Sequence, residues 1–365
     1  MKKVDSRFLW VGMFVLVVFF FVQSAVAQET IQVVDTAGRK VRTPQDPTRI
    51  ICIGPGALRQ ICYLGSQGRV VGIENFEKQR PIGRPYLYAN PELLNLPVIG
   101  PGGPGNINKD PDLEMVLKVR PDVIFATYMK PAKADALQMK LNIPVVVLTY
   151  GRLGIFDPQV YPSLRLAGTI LKKEKRADDI IAYVEHVQAD LKNRTGGLEE
   201  RQKPTCYIGG VGYRGSHGIE STETQYTPLN WAGANNLASR LSDEKHHFID
   251  KEQLLSWNPD VIFIDGIGLS LVIQDYNKNN AFYQGLKAFK TKRVYVVFPF
   301  NYYATNIGTA IAGAYAVGKI LYPDVFEDID IKKKADEIYM FLLNRPVYKF
   351  MEKDFTELGV VAPFW

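Results

Sequence analysis

Two stretches of this chain carry the same alternation of polar and apolar positions. The first runs from Asp112 to Phe125 and the second from Asp250 to Phe263, each with Asp at the start, Glu two places on and a closing Pro-Asp-Val-Ile-Phe. An acidic cap and a Glu in the first turn complement the positive end of a helix, and Pro closes it. Val-Ile-Phe is then an apolar run of the kind found in parallel strands covered on both faces. The copies lie roughly 140 positions apart, far beyond the period of a solenoid repeat. The period therefore predicts two similar α/β lobes in tandem.

The same reading extends along the chain. Arg49 to Ile53 is a buried strand ending at Gly54-Pro55-Gly56, followed by a helix with Leu58, Ile61, Cys62 and Leu64 on its apolar face. Strand, glycine-rich turn and helix place that turn, and Arg59 near it, at the carboxyl edge of a sheet, where open α/β sheets bind ligands. Val70 to Ile73 and Pro144 to Leu148 are further strands, and Tyr128 falls at the end of the strand in the first copy. From Asp157 to Arg194 the pattern is helical, with Ile180, Ile181, Val184, Val187 and Leu191 on one stripe. One long helix over 157–196, broken near Lys172 to Lys175, is expected to join a lobe at 28–156 to a lobe at 197–365. In the second lobe Thr205 to Ile208 and Arg293 to Phe298 are strands, and helices from Ile331 to Phe355 are expected to cover that lobe.

Two long irregular stretches interrupt the pattern and are the expected ligand loops. Glu74 to Asn108 is rich in Pro, Gly, Tyr and Arg and offers Arg84, Tyr86 and Tyr88. Val211 to Asn230 offers Tyr213, Arg214, His217, Glu220 and Tyr226. Gly210, Gly212 and Gly215 have dinucleotide-fingerprint spacing, but no helix pattern opens there, so that match is discounted. Tyr302 and Tyr303 follow the last strand; they are free to ligate iron, stack on a flat ligand or pack.

Composition adds three constraints. The chain has 365 residues, 46% hydrophobic and 22% charged, enough for two cores. Lys2, Lys3 and Arg7 precede an apolar run from Phe8 to Val22, shorter than the roughly 20 residues of a spanning helix, and Ala25-Val26-Ala27 precedes Gln28. That is the pattern of a secretory signal peptide over 1–27, so a soluble periplasmic protein is expected. The formal charge of +6 is too mild, and too little interleaved with aromatics, for nucleic acid; it suits an anionic small ligand. Three cysteines permit at most one internal pair; Cys52 with Cys62 is left open beside buried free thiols.

Paired lobes, a helical joint, both Pro-Asp-Val-Ile copies with their upstream Glu, the Trp231-Ala232-Gly233-Ala234-Asn235-Asn236 segment and the Val294-Tyr295-Val296-Val297 strand followed by tyrosines resemble one family. These are the helical-backbone substrate-binding proteins of ABC importers, receptors for ferric siderophores, haem and cobalamin. The resemblance covers nearly all of Gln28 to Trp365. It implies a monomer with two Rossmann-like lobes, each with a central parallel sheet, and a cleft between them. It also implies that Glu114 and Glu252, one per lobe, dock onto the ABC permease at the inner membrane.

The four histidines, His186, His217, His246 and His247, all lie outside the first lobe. A receptor for a bare metal ion builds its site from several His and carboxylates drawn from both lobes. A chelated metal asks only for aromatic walls, charge-matching Arg and one or two ligands. A ferric siderophore-type complex is therefore the leading expectation, with haem or a corrinoid as alternatives and a secreted enzyme as the rival class. The expected contacts are Arg59, Arg84, Tyr86, Tyr128, Tyr213, Arg214, His217, Tyr302 and Tyr303, with Tyr302 and His217 completing the metal's coordination. No catalytic residue and no resident cofactor is expected.

Overall fold

The computed structural model describes residues 29–79, 81–241 and 246–364; the expected leader lies outside them. Strands β1 (Thr30–Val34) and β2 (Lys40–Pro44) form an antiparallel hairpin. The Asp35 carboxylate ties its turn, accepting from the Ala37 and Arg39 amides, and also accepts from the Val147 amide, which clips the hairpin to the first lobe.

The first lobe holds β3 (Ile50–Ile53), β4 (Val70–Gly72), β5 (Val123–Thr127) and β6 (Val145–Leu148), all parallel in the order β4-β3-β5-β6. The second lobe holds β7 (Thr205–Gly209), β8 (Ser221–Glu223), β9 (Asn235–Asn236), β10 (His246–Phe248), β11 (Val261–Asp265) and β12 (Val294–Val297). Its main sheet is parallel in the order β12-β11-β7-β9, while β8 and β10 pair antiparallel beside it. In both main sheets the first strand of the lobe lies between the second and the third. The chain thus reverses its direction of travel between β3 and β5, and again between β7 and β11, and such switch points open a crevice at the carboxyl edge.

The repeated motif explains itself in this fold. Asp112 and Asp250 cap the helices Leu113–Val119 and Lys251–Trp257 by accepting from the Met115 and Gln253 amides at 3.0 and 2.6 Å. Arg120 and Asn258 end them in the left-handed conformation, both at φ 44°, one residue before the Pro. Asp122 then accepts from the Thr48 and Arg49 amides at 2.9 Å, and Asp260 accepts from the Thr205 amide at 2.9 Å and its hydroxyl at 2.8 Å. In each lobe this carboxylate fastens the repeated strand to the lobe's first strand at its amino end.

The joint departs from the single rod expected. It is two helices, Val160–Leu171 and Glu174–Thr195, with Lys172 left-handed at φ 53° between them. The chain doubles back there: Arg165 Nε donates to Asp178 at 2.9 Å, and Gly168 lies so close to Ala177 that an added Cβ would sit 3.1 Å from its methyl. The longer helix buries the stripe read from sequence and is pinned at its start to both sides. Arg176 donates to the carbonyls of Tyr63 in the first lobe and Leu342 near the C-terminus. The C-terminal helices Ile331–Leu343 and Tyr348–Phe355 also depart from expectation, because they straddle the two lobes. Tyr88 of the first lobe stacks on Phe350 at 5.3 Å, and Asp354 accepts from the Gly83 amide at 3.1 Å and from the Tyr88 hydroxyl. Cys52, Cys62 and Cys206 are all buried free thiols, so the bridge left open from sequence is not formed.

Candidate functional site

The carboxyl edges of the two sheets meet along a seam. Four non-glycine residues in the loops beyond strand ends are left-handed: Tyr128 after β5, Arg214 in the loop after β7, and Tyr303 and Ala304 after β12, at φ 54–65°. Such conformations cost energy and persist where surroundings impose them, commonly at functional sites. The seam supplies the imposition. Arg59, fully buried in the helix after β3, donates across it to the carbonyls of Thr305, Tyr302 and Tyr303 at 3.0, 2.9 and 3.0 Å. Tyr303 reaches back the other way. Its hydroxyl donates to Glu74 Oε2 at 2.6 Å and accepts from the Gly103 amide at 2.9 Å, while Glu74 Oε1 accepts from the Gly54 amide at 3.0 Å. Burial pushes the Glu74 carboxyl up to about 7 against the pull of those hydrogen bonds. Thr305 Oγ1 donates to the Ile155 carbonyl at 3.0 Å, and Thr227 Oγ1 accepts from the Phe156 amide at 2.9 Å.

Beside this latch the guanidinium of Arg84 is fully buried. It pairs with Glu77 and lies over the rings of Phe76, Tyr303 and Tyr302 at 4.4, 5.2 and 5.5 Å. Tyr86 donates to the same Glu77 at 2.8 Å. Arg59, Arg84, Tyr86 and Tyr303, expected to face a ligand, are thus engaged with protein groups inside the seam. Arg59 and Tyr303 hydrogen-bond to the opposite lobe and Arg84 lies against its tyrosine rings, whereas Tyr86 is held by Glu77 within its own lobe.

The remaining expected residues divide into two places. Tyr128 and Tyr302 are half-buried at the tips of β5 and β12. Tyr213 and Arg214 are exposed, with the Tyr213 ring stacked on His246 at 4.2 Å. His217 bonds through Nε2 to the Tyr213 carbonyl at 2.7 Å and packs edge-on to Phe248 at 4.9 Å. His217 therefore belongs to an aromatic cluster formed by β10 and the loop before β8, and Tyr302 to the cluster around Arg84. His246 is half-buried with Nε2 2.9 Å from Ser221 Oγ; burial, with His217 and His247 nearby, lowers its pKa to about 4. Among the described residues no three His, Cys, Asp or Glu are grouped to hold a metal ion.

A small pocket opens at the switch point of the second lobe, lined by Glu223, Tyr226, Asp265, Ile267, Phe300 and Asn301 among others. Gly154 of the first lobe lies against it. At φ 91°, with an added Cβ only 2.8 Å from Glu223 Oε1, that position demands glycine. Asp265 accepts from the Ile267 amide at 3.0 Å and from the Tyr226 hydroxyl at 3.3 Å, and burial pushes its carboxyl up to about 7. Neither Arg, Lys nor His lines the pocket. Of these residues only Tyr226 was an expectation from sequence; Glu74, Glu223 and Asp265 were not. The signal available for Glu74 and Asp265 was an acid at the end of an apolar strand; Glu223 carried none.

Two α/β lobes with facing strand tips, a pocket at a switch point and a seam crossed by buried hydrogen bonds define a two-lobed solute-binding protein. Residues 50–299 match the periplasmic binding protein family, and the chain belongs to it. It is 26% identical over 331 residues to the molybdate-binding protein MolA of Haemophilus influenzae, covering 84% of this chain and 89% of that one. In structure it is similar to a periplasmic solute binding protein from Veillonella parvula, with a TM-score of 0.71 and 21% identity over 90% of this chain and 97% of the other. MolA bound to molybdate superimposes with a TM-score of 0.65 and 22% identity, covering 87% and 98% of the two chains.

Proposed function

We propose that the chain is the exported receptor of an ABC importer and that its cargo is a compact metal chelate held at the second-lobe pocket, facing Gly154. The observation that carries this reading is the lining of that pocket: two buried carboxyl groups, a tyrosine and an asparagine, without a basic side chain. Such a wall suits the positive centre or the donor edge of a metal complex and offers a bare oxyanion no charged partner. The enclosed volume is about 10 Å³, room for little more than one water, so a chelate enters only as the walls of the pocket part. A ferric siderophore, the expectation from sequence, fits this reading in its smaller forms or with the lobes parted.

A second reading is a metal oxyanion, supported by likeness to a molybdate-binding relative. Calorimetric titration of the mature protein with sodium molybdate, small ferric chelates and nickel-histidine separates them. Binding of a chelate and not of molybdate is expected. Tight molybdate binding with no response to any chelate would overturn the proposal.

Delivery rests on Glu114 and Glu252. Both are exposed in the first turn of matching helices that begin at the carboxyl edges of the two sheets, where one permease surface can meet both.

A further inference from the structure

The two docking helices share a feature that neither lobe's packing requires. One turn beyond each glutamate stands a leucine turned to solvent: Leu117 is 51% exposed and Leu255 is 38% exposed, against 0% and 1% for their neighbours Val116 and Leu254. Residues three apart share a helix face, so Glu114 with Leu117 and Glu252 with Leu255 form the same two-point patch twice, in the same register after the same Asp cap. A single exposed leucine is ordinary on a soluble protein. The same one in both lobes beside the same acid is a duplicated surface, and a duplicated surface matches a partner that is itself duplicated.

We infer that Leu117 and Leu255 are apolar anchors of the docking face, each seated in an apolar hollow next to the basic site that receives its glutamate, on the paired transmembrane subunits of the importer. The inference rests on the proposed docking role of Glu114 and Glu252 and deepens it. The glutamates supply attraction at a distance, which salt screens; the leucines supply burial at contact, which salt does not weaken.

The test uses the full mature chain and its ABC permease held in nanodiscs, with binding read by surface plasmon resonance at low and high salt. Leu117→Ser with Leu255→Ser is expected to weaken docking at least tenfold, about 1.4 kcal/mol, at every salt concentration. Glu114→Lys with Glu252→Lys is expected to weaken it most at low salt. Met139→Ser, at a 78% exposed position on another helix of the first lobe, should change nothing. Thermal unfolding and cargo titration should match wild type for all three proteins, which excludes misfolding. Leucine variants that dock like wild type while the lysine variants fail would overturn the inference alone; unchanged docking in both sets would remove the docking reading itself. Sedimentation covers the other occupant: a wild-type dimer that the serine changes dissolve, with docking intact, would assign the patch to self-association and overturn the inference.

Discussion

Among the buried charged side chains of the seam and its pocket, Glu74, Asp265 and Arg59 can each be tested by substitution. Glu74 and Asp265 stand near 7 in the folded chain against 4.5 and 3.8 for free groups, chiefly through burial. A carboxyl whose folded pKa is raised holds its proton more tightly folded than unfolded. Its contribution is therefore fullest below about pH 4 and is lost as pH rises through about 7. Urea unfolding should show stability falling between pH 5 and 7.5, on the order of 2 kcal/mol for each group, and Glu74→Gln with Asp265→Asn should flatten that slope. A profile equally steep in the double variant would locate the dependence elsewhere. Arg59 gives an independent check. Arg59→Met keeps much of the volume but leaves the three carbonyls of Tyr302, Tyr303 and Thr305 without their donor, a loss of about 2–5 kcal/mol in unfolding free energy. A change below 0.5 kcal/mol would mean that the seam opens without cost.

At the scale of elements, the repeated Pro-Asp-Val-Ile segment is a fastening device as well as a family mark. Asp122 accepts from the Thr48 and Arg49 amides just before the first lobe's first strand, and Asp260 from the amide and hydroxyl of Thr205 at the start of the second lobe's. Replacing either with Ala should cost about 1–2 kcal/mol, and hydrogen exchange should quicken at Arg49 or Thr205 in the affected lobe only. Equal quickening in both lobes would show that the lobes unfold as one unit. This much was legible from spacing, since strand, cap and Pro are local chemistry. The turn in the joint was legible only as a place. The run Lys172-Lys173-Glu174-Lys175 marked the break, while the direction of the second helix depends on Gly168 meeting Ala177, a contact between surfaces that local periodicity does not encode.

At the scale of the molecule, the seam is tied at several points. Arg59 and Tyr303 cross it in opposite senses, Thr305 and Thr227 cross it again, and Tyr348–Phe355 packs on the first lobe from the second. Opening by a wide hinge would break all of these together. Solution scattering should accordingly show less than about 1 Å change in the radius of gyration on cargo binding, whereas Tyr303→Phe, which unties Glu74, should enlarge the difference. A large compaction of the wild-type protein on binding would contradict the tied seam.

The linear order of residues by itself determined the lobes, their parallel sheets, the acid-capped helices and the exposed glutamates, because each follows from periodicity and capping within a few residues. Which arginines and tyrosines meet solute, and which meet the other lobe, was decided only by tertiary structure. Arg59 and Tyr303 follow the ends of β3 and β12, and Arg84 and Tyr86 lie in the long loop beyond β4, where ligand residues would stand. The partners of Arg59 at Thr305 and of Tyr303 at Glu74 are chosen by how two separately folded sheets face one another, whereas Arg84 and Tyr86 are held by Glu77 of their own lobe. The pocket acids follow the same logic: Glu223 and Asp265 lie far apart in the chain and share a wall because β8 and β11 end at one edge.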